Sequence, residues 1–217
     1  MDYLVSYSVQ HCGNIGLIIS LEESVEERVK RMVSSRLGIS LKSMRFKTTV
    51  VQPEQVVNLF KNTFHNKLYI FDRKDVLTPD DAVTLINDIR PDIVVVDYIQ
   101  NFAMKDMVTG YINAILDLET AAVRNNCHIN IVSQVSDKKI YGREERAPTA
   151  SDAQWTSKLY QSSSEMLSLY YHHAFSHGTF DNELLELHIL ACKFSDSVGK
   201  IKLQIDPDKA LIIGEIP

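Results

Sequence analysis

The 217-residue sequence predicts an α/β fold in which a central, mostly parallel sheet is flanked by helices and gives way to antiparallel strands toward the C-terminus. Three observations carry this. Two short apolar runs, Leu17-Ile18-Ile19-Ser20 and Ile93-Val94-Val95-Val96, have the texture of strands buried on both faces. Each runs straight into carboxylates, Glu22 and Glu23 after the first and Asp97 at the end of the second. Helical and extended segments alternate up to Gln134, whereas beyond residue 160 extended runs follow one another with few helices between them.

Each element has a local cause. Leu4, Val5 and Val9 have helical spacing, and Gly13-Asn14 stops that helix. Ile15–Ser20 reads as a strand. Ser24 caps the next helix, which runs to about Leu37 with Glu26 and Glu27 in its first turn, where acids favour the helix dipole. Its Val25, Val29, Met32, Val33 and Leu37 share one face. Residues 38–52 read as a connector with a short extended piece at Thr48–Val51. Pro53 opens a helix that buries Val56, Val57, Leu59, Phe60 and Phe64. Lys67–Phe71 is a strand, Thr78-Pro79-Asp80-Asp81 starts a helix leading to Arg90, and Asp92–Val96 is the second acid-tipped strand. Residues 107–125 form a long helix and His128–Ser133 a strand. The closing strands are Met166–Tyr171, Leu184–Cys192, Val198–Ile205 and Ala210–Ile213, the last two separated by the turn Asp206-Pro207-Asp208-Lys209.

Bulk properties narrow the function. The length suits a single domain, with a core large enough to need no staple. A net charge of −5 argues against a generally basic nucleic-acid coat but allows a local basic loop. Cys12, Cys127 and Cys192 are odd in number, widely spaced and form no metal pattern, which fits a reducing, cytoplasmic compartment. No run approaches the roughly 18 apolar residues of a membrane span. The N-terminus lacks the basic-then-apolar order of a signal peptide.

Ligands of open parallel sheets sit outside the carboxyl ends of the strands. Two acids there can hold the water shell of a magnesium ion and orient a water on a nucleotide phosphate. A phosphate loop of the form G-x-x-x-x-G-K-[ST] is absent from the 217 residues. His172, His173 and His177 have no cysteine or carboxylate at zinc-ligand spacing. No G-x-S-x-G nucleophile elbow occurs.

Several segments resemble one family, in order. Ser20-Leu21-Glu22-Glu23-Ser24, followed by a helix with Arg28 and Arg31-Met32, resembles the segment after a nucleotide-binding strand of DnaB-type replicative helicases. Val94-Val95-Val96-Asp97-Tyr98-Ile99-Gln100 resembles their Walker B strand and Val132-Ser133-Gln134 their next strand end. Ser151-Asp152 with the helix to Gln161, the Tyr170-Tyr171 strand end, and Ile189–Leu203 follow in the family's order. The resemblance spans nearly the whole chain and implies a RecA-like P-loop NTPase fold.

It also implies roles. Glu22 would polarise the attacking water, Asp97 would hold magnesium through water, and Gln134 would couple the γ-phosphate to the DNA-facing loop. Lys193 would reach the nucleotide of a neighbouring subunit. The implied cofactors are ATP and Mg2+. The implied partners are single-stranded DNA, the other subunits of a homo-hexameric ring, and a primase or helicase loader, with no membrane. Lys138, Lys139, Arg143 and Arg146, in the polar stretch 136–152, are candidate DNA contacts, although Asp137, Glu144 and Glu145 offset their charge. Trp155 reads as a packing anchor with base stacking as its alternative.

Two departures stand against this pattern. The family's Gly-Lys-Thr would end almost where Met1 stands, so the 1–217 domain is expected to be either N-terminally truncated or degenerate, without its own phosphate cradle. The family's Lys-x-Arg reads Lys193-Phe194-Ser195 here, and a serine cannot replace an arginine finger. A motor domain, a non-catalytic accessory protein of the same fold, and a recombinase-like ATPase therefore all stay open.

Overall fold

The computed structural model describes residues 1–135, 147–153, 156–171, 183–196 and 198–216. Strands β1 (Gly16–Ser20), β2 (Leu68–Asp72), β3 (Ile93–Asp97) and β4 (His128–Ile131) form a parallel sheet in the order β2-β1-β3-β4. Helix α1 (Asp2–Cys12) precedes the sheet, and the crossovers carry helices α2 (Val25–Leu37), α3 (Leu41–Arg45), α4 (Pro53–Phe64), α5 (Pro79–Ile89) and α6 (Met107–Asn125). A 3-10 turn at Ala150–Asp152 and helix α7 (Thr156–Ser162) precede β5 (Glu165–Tyr170), β6 (Leu184–Cys192), β7 (Gly199–Asp206) and β8 (Leu211–Ile216). These four pair antiparallel in sequence order as a sheet of their own. The expected α/β class with closing antiparallel strands is therefore found, with those strands forming a second sheet instead of extending the first.

Alternation along β1 and β3 explains why both are apolar throughout. Leu17, Ile19, Val94 and Val96 face one cluster, with Ala82 and Ile86 of α5 and Tyr111, Ala114, Ile115, Leu118 and Ala121 of α6. Ile18 and Val95 face the other, with Val5 and Val9 of α1, Met32 of α2 and Phe64 of α4. Both faces of these strands are thus covered, as parallel crossovers require. Each such aliphatic side chain contributes about 1.5–3 kcal/mol by leaving water. Leu159 of α7 and Met166 of β5 join the first cluster, tying the second sheet to the α6 side.

The helix punctuation follows the sequence. Ser24 accepts from the backbone N–H of Glu27, Thr78 from that of Asp81, and Pro53 and Pro79 stand in the first turns of α4 and α5. Gly13 and Gly38 end α1 and α2 with φ of 71° and 65°, a left-handed conformation that suits glycine. Three expectations need correcting. The 38–52 connector contains α3, and Thr48–Val51 is not a strand. Leu4, Leu37 and Val57 are exposed, at 48%, 43% and 49%. The face of α2 turned to the sheet carries Arg28 as well as apolar groups.

Candidate functional site

Because the four strands of the first sheet are parallel, Asp72, Ser20, Asp97 and Ile131 end along one edge. Ser20 is in register with Asp72 on one side and Asp97 on the other. The Leu21 N–H donates to the Asp97 carbonyl at 2.7 Å, so the turn bearing Glu22 starts beside the Asp97 backbone.

Ser20 and Asp72 hold that turn. The Ser20 hydroxyl donates to the Glu23 carbonyl at 2.7 Å. Asp72 accepts from the Val25 N–H at 3.0 Å and the Lys74 N–H at 2.9 Å. The N–H groups of Lys74 and Val25 hold the Asp72 carboxyl below its ordinary range. The two neighbouring glutamates then differ. Glu23 forms an ion pair with Arg31. Glu22 is exposed and has no hydrogen-bond or ion-pair partner among the described residues.

Asp97 is engaged from behind. Arg28, only 1% exposed, donates through Nη2 to Asp97 Oδ2 at 2.6 Å and through Nη1 to Asp2 Oδ1 at 2.5 Å. Its Nε and Nη2 also reach Ser20 Oγ at 3.3 and 3.2 Å. Burial by itself would lower the guanidinium's pKa, but the charges of Asp2 and Asp97 more than offset it and hold it above the ordinary value. One guanidinium therefore joins α1, β1, α2 and β3. Asp2 Oδ2 is buried with no hydrogen-bond partner among the described residues.

At the end of β4, Gln100 Nε2 donates to Ser133 Oγ at 2.8 Å, and Gln100 Oε1 accepts from the Gln134 N–H at 3.3 Å. Tyr111 shares the Ser133 hydroxyl at 3.3 Å, and burial pushes its phenol pKa up. The Gln134 side chain stays exposed at the same edge as Glu22 and Asp97. Lys193 is elsewhere: beyond β6, it donates to the Gln161 carbonyl at the end of α7 at 2.5 Å. The described contacts bring Glu22, Asp97 and Gln134 to one edge and do not bring Lys193 to it. Lys138, Lys139, Arg143 and Arg146, together with Trp155 and His172, His173 and His177, lie outside the described residues.

Arg28, Asp2, Ser20 and Asp72 are the participants that sequence reading does not assign. The available signal is positional: Arg28 interrupts the apolar face of α2 between Val25 and Met32. The set does not fit a divalent cation as it stands. Asp97 Oδ2 is occupied by a guanidinium, and among the described residues no group of three His, Cys, Asp or Glu side chains could hold a metal.

A parallel sheet with Asp72 and Asp97 at the ends of β2 and β3, helices on both faces and a trailing antiparallel sheet give the α/β architecture of a RecA-like domain. The chain matches the family model described as DnaB-like helicase C-terminal domain over residues 4–210, and it belongs to that family. No curated protein sequence matches it. Among solved structures, a DnaB-like replicative helicase studied with its interactions with primase superposes with a TM-score of 0.81 at 18% identity, over 96% of this chain and 52% of that one. A second solved structure, an ATPase domain, gives 0.80 at 16% identity, over 97% and 80%. A KaiC-like protein of Pyrococcus horikoshii OT3 gives 0.64 at 12%, over 98% and 80%. At these identities the likeness is one of fold. The chain spans about half the length of the first of them. No helix among the described residues is long and apolar enough to cross a membrane.

Proposed function

We propose that this chain forms the larger part of the motor domain of a replicative DNA helicase, which uses ATP with magnesium to move along single-stranded DNA as a homo-hexameric ring and separate the duplex. The observation that carries this reading is the shared edge where Glu22, without a partner among the described residues, projects one residue beyond the Leu21–Asp97 backbone bond, with Gln134 at the next strand end. A free carboxylate there can orient water for attack, and an amide one strand away can report the state of the terminal phosphate. Lys193 would act between subunits, which suits its position away from the cis site. Lys138, Lys139, Arg143 and Arg146 would meet DNA phosphates. Primase or a loader would be ring-level partners.

The reading requires a phosphate loop in addition to these residues. Its test is ATP hydrolysis by protein carrying that loop, with and without Glu22→Gln. Loss of a general base costs about 10²–10⁴ in rate. An undiminished rate in the variant sinks the assignment of Glu22.

One observation favours a second reading, a non-catalytic RecA-fold accessory protein that binds a helicase or single-stranded DNA: Asp97 is already ion-paired with Arg28. Binding of DNA or a helicase ring by the chain as purified, with no ATP turnover once a phosphate loop is supplied, would select it. A recombinase-like ATPase would instead assemble filaments.

A further inference from the structure

The Arg28–Asp97 pair sits where the family reading puts a cation. Three features make it a built arrangement and not a passing surface contact. The guanidinium is 98% buried as a side chain, and Asp97 and Asp2 are 82% and 84% buried, from side-chain exposures of 2%, 18% and 16%. Every guanidinium nitrogen is used: Nη1 on Asp2, Nη2 on Asp97 and Ser20, Nε on Ser20. The Ser20 hydroxyl, whose acceptor side takes Arg28, gives its proton to the Glu23 carbonyl and so links the same network to the Glu22-Glu23 turn.

A hydrated divalent cation held by Asp97 and a guanidinium 2.6 Å from the same carboxylate would be like charges a few ångströms apart. Both cannot enjoy the full charge of one carboxylate. Arg28 is anchored on its far side by Asp2, and its burial leaves it no route to solvent without a shift of α1 or α2.

We propose that Arg28 is a positioning residue that takes the place of a divalent cation at Asp97: the guanidinium neutralises and orients this carboxylate, and a metal can engage it only when Arg28 gives way. The inference rests on the reading of Asp97 as the cation-holding acid of the site. It makes the chain a domain whose Asp97 is already ion-paired without metal, with α2 and the Glu22-Glu23 turn mechanically tied to whether that pair is kept. A conformational step that draws α2 off the sheet edge would uncover Asp97 and move Glu22 together.

The test is Mn2+ binding to the full chain, followed by electron paramagnetic resonance, in the wild type and in Arg28→Met, Arg28→Lys and Asp97→Asn. Removing the competing charge should tighten Mn2+ binding about tenfold or more in Arg28→Met. Asp97→Asn placed in the Arg28→Met background should abolish the gain. Arg28→Lys keeps a charge but cannot span Asp2, Ser20 and Asp97 at once, so it should tighten binding severalfold, and it serves if Arg28→Met does not fold. A merely structural Arg28 would change the melting temperature in these variants without moving Mn2+ affinity. Wild type that binds Mn2+ as tightly as Arg28→Met, with loss in Asp97→Asn, overturns this inference and leaves the motor reading intact. Tightening in Arg28→Met that survives Asp97→Asn overturns the role of Asp97 and with it both.

Discussion

Arg28 on α2 and Asp97 at the end of β3, 69 residues apart in sequence, are joined at 2.6 Å at the carboxyl edge of the parallel sheet, with the guanidinium buried and the carboxylate partly so. The charge of the guanidinium is shared with Asp2, so the three form a buried acid–base–acid row. Burying charges is costly, and the attraction repays it only while every partner is present. Arg28→Ala strands two carboxylates and should cost about 3–5 kcal/mol in urea unfolding. Asp2→Asn with Arg28→Met should cost clearly less than the sum of the single changes, because the second change removes a charge the first has left unpaired. Additive losses would show that the row is not energetically coupled.

Glu22 and Glu23 are the same residue type in adjacent positions, yet their surroundings differ. Glu23 is engaged by Arg31, a partly exposed pair, and Glu23→Gln should cost no more than about 1 kcal/mol of stability. In protein able to hydrolyse ATP it should retain most of the rate. Glu22→Gln should leave stability within about 0.5 kcal/mol, as for an unpartnered surface residue, while removing hydrolysis. Measuring both variants by melting and by phosphate release checks the division. The reverse pattern would transfer the catalytic assignment to Glu23.

Much of this is legible in the sequence, for physical reasons that differ by element. β1 and β3 are buried on both faces, so their unbroken apolar runs and polar tips mark their bounds to within a residue or two. α5 carries its own start signal in Thr78-Pro79-Asp80-Asp81, where the Asp81 carboxylate accepts from the Thr78 N–H at 2.8 Å. α3 is hard to read because it is five residues long with none buried, and its local cap, Ser40 accepting from the Ser43 N–H at 3.2 Å, is itself held by a distant partner. Ser40 Oγ donates to Asp208 Oδ1 at 2.8 Å and the Leu41 N–H to the Asp208 carbonyl at 2.7 Å, a partner 168 residues from Ser40. Arg28 is hidden by its type, since an arginine in a helix ordinarily reads as solvated. The choice of Glu22 over Glu23 rests in the sequence on family likeness alone, and only the Arg31 contact gives it a local physical basis.

Gly16, the first residue of β1, lies where α1 crosses the sheet. A Cβ built there would come within 2.7 Å of both Val5 Cγ1 and Val9 Cγ2. Valine methyls are held by a stiff χ1, so relief requires α1 to move away from β1. Gly16→Ala should therefore cost about 1–3 kcal/mol by overpacking. Since Asp2 opens α1, the displacement should also loosen the Asp2–Arg28 contact. A neutral Gly16→Ala in thermal unfolding would mean that α1 packs less tightly than its buried valines indicate.

Lys138 and Lys139 bear on the proposed DNA contact, outside the described residues. If both meet phosphates of a single strand, Lys138→Ala with Lys139→Ala should weaken binding. The pair should also flatten the slope of log affinity against log salt by about 1.4, at roughly 0.7 per contact. The measurement is fluorescence anisotropy of a labelled oligonucleotide across a salt series. An unchanged slope would remove these lysines from the interface, whatever the change in affinity at one salt concentration.

Asp72 gives the site a pH dependence with a definite sign. Its carboxylate accepts the Lys74 and Val25 N–H groups, and through Val25 it fixes the start of α2 and hence the turn that carries Glu22. These donors favour the ionised form, so the folded-state pKa lies below the unfolded one. The unfolded state then takes up the proton first. The stabilisation from Asp72 is present in full above the unfolded value of about 3.9 and is lost as pH falls through the folded value. Asp72→Asn keeps one acceptor oxygen but cannot ionise. It should be less stable than wild type at pH 7 by about 1 kcal/mol, the scale of a lost cap bond, and the difference should shrink as the pH is lowered below about 4. Urea midpoints for the two proteins at pH 7, 5 and 3 test this. A gap that widens toward acid would mean that Asp72 is held protonated in the fold, contrary to its two N–H donors.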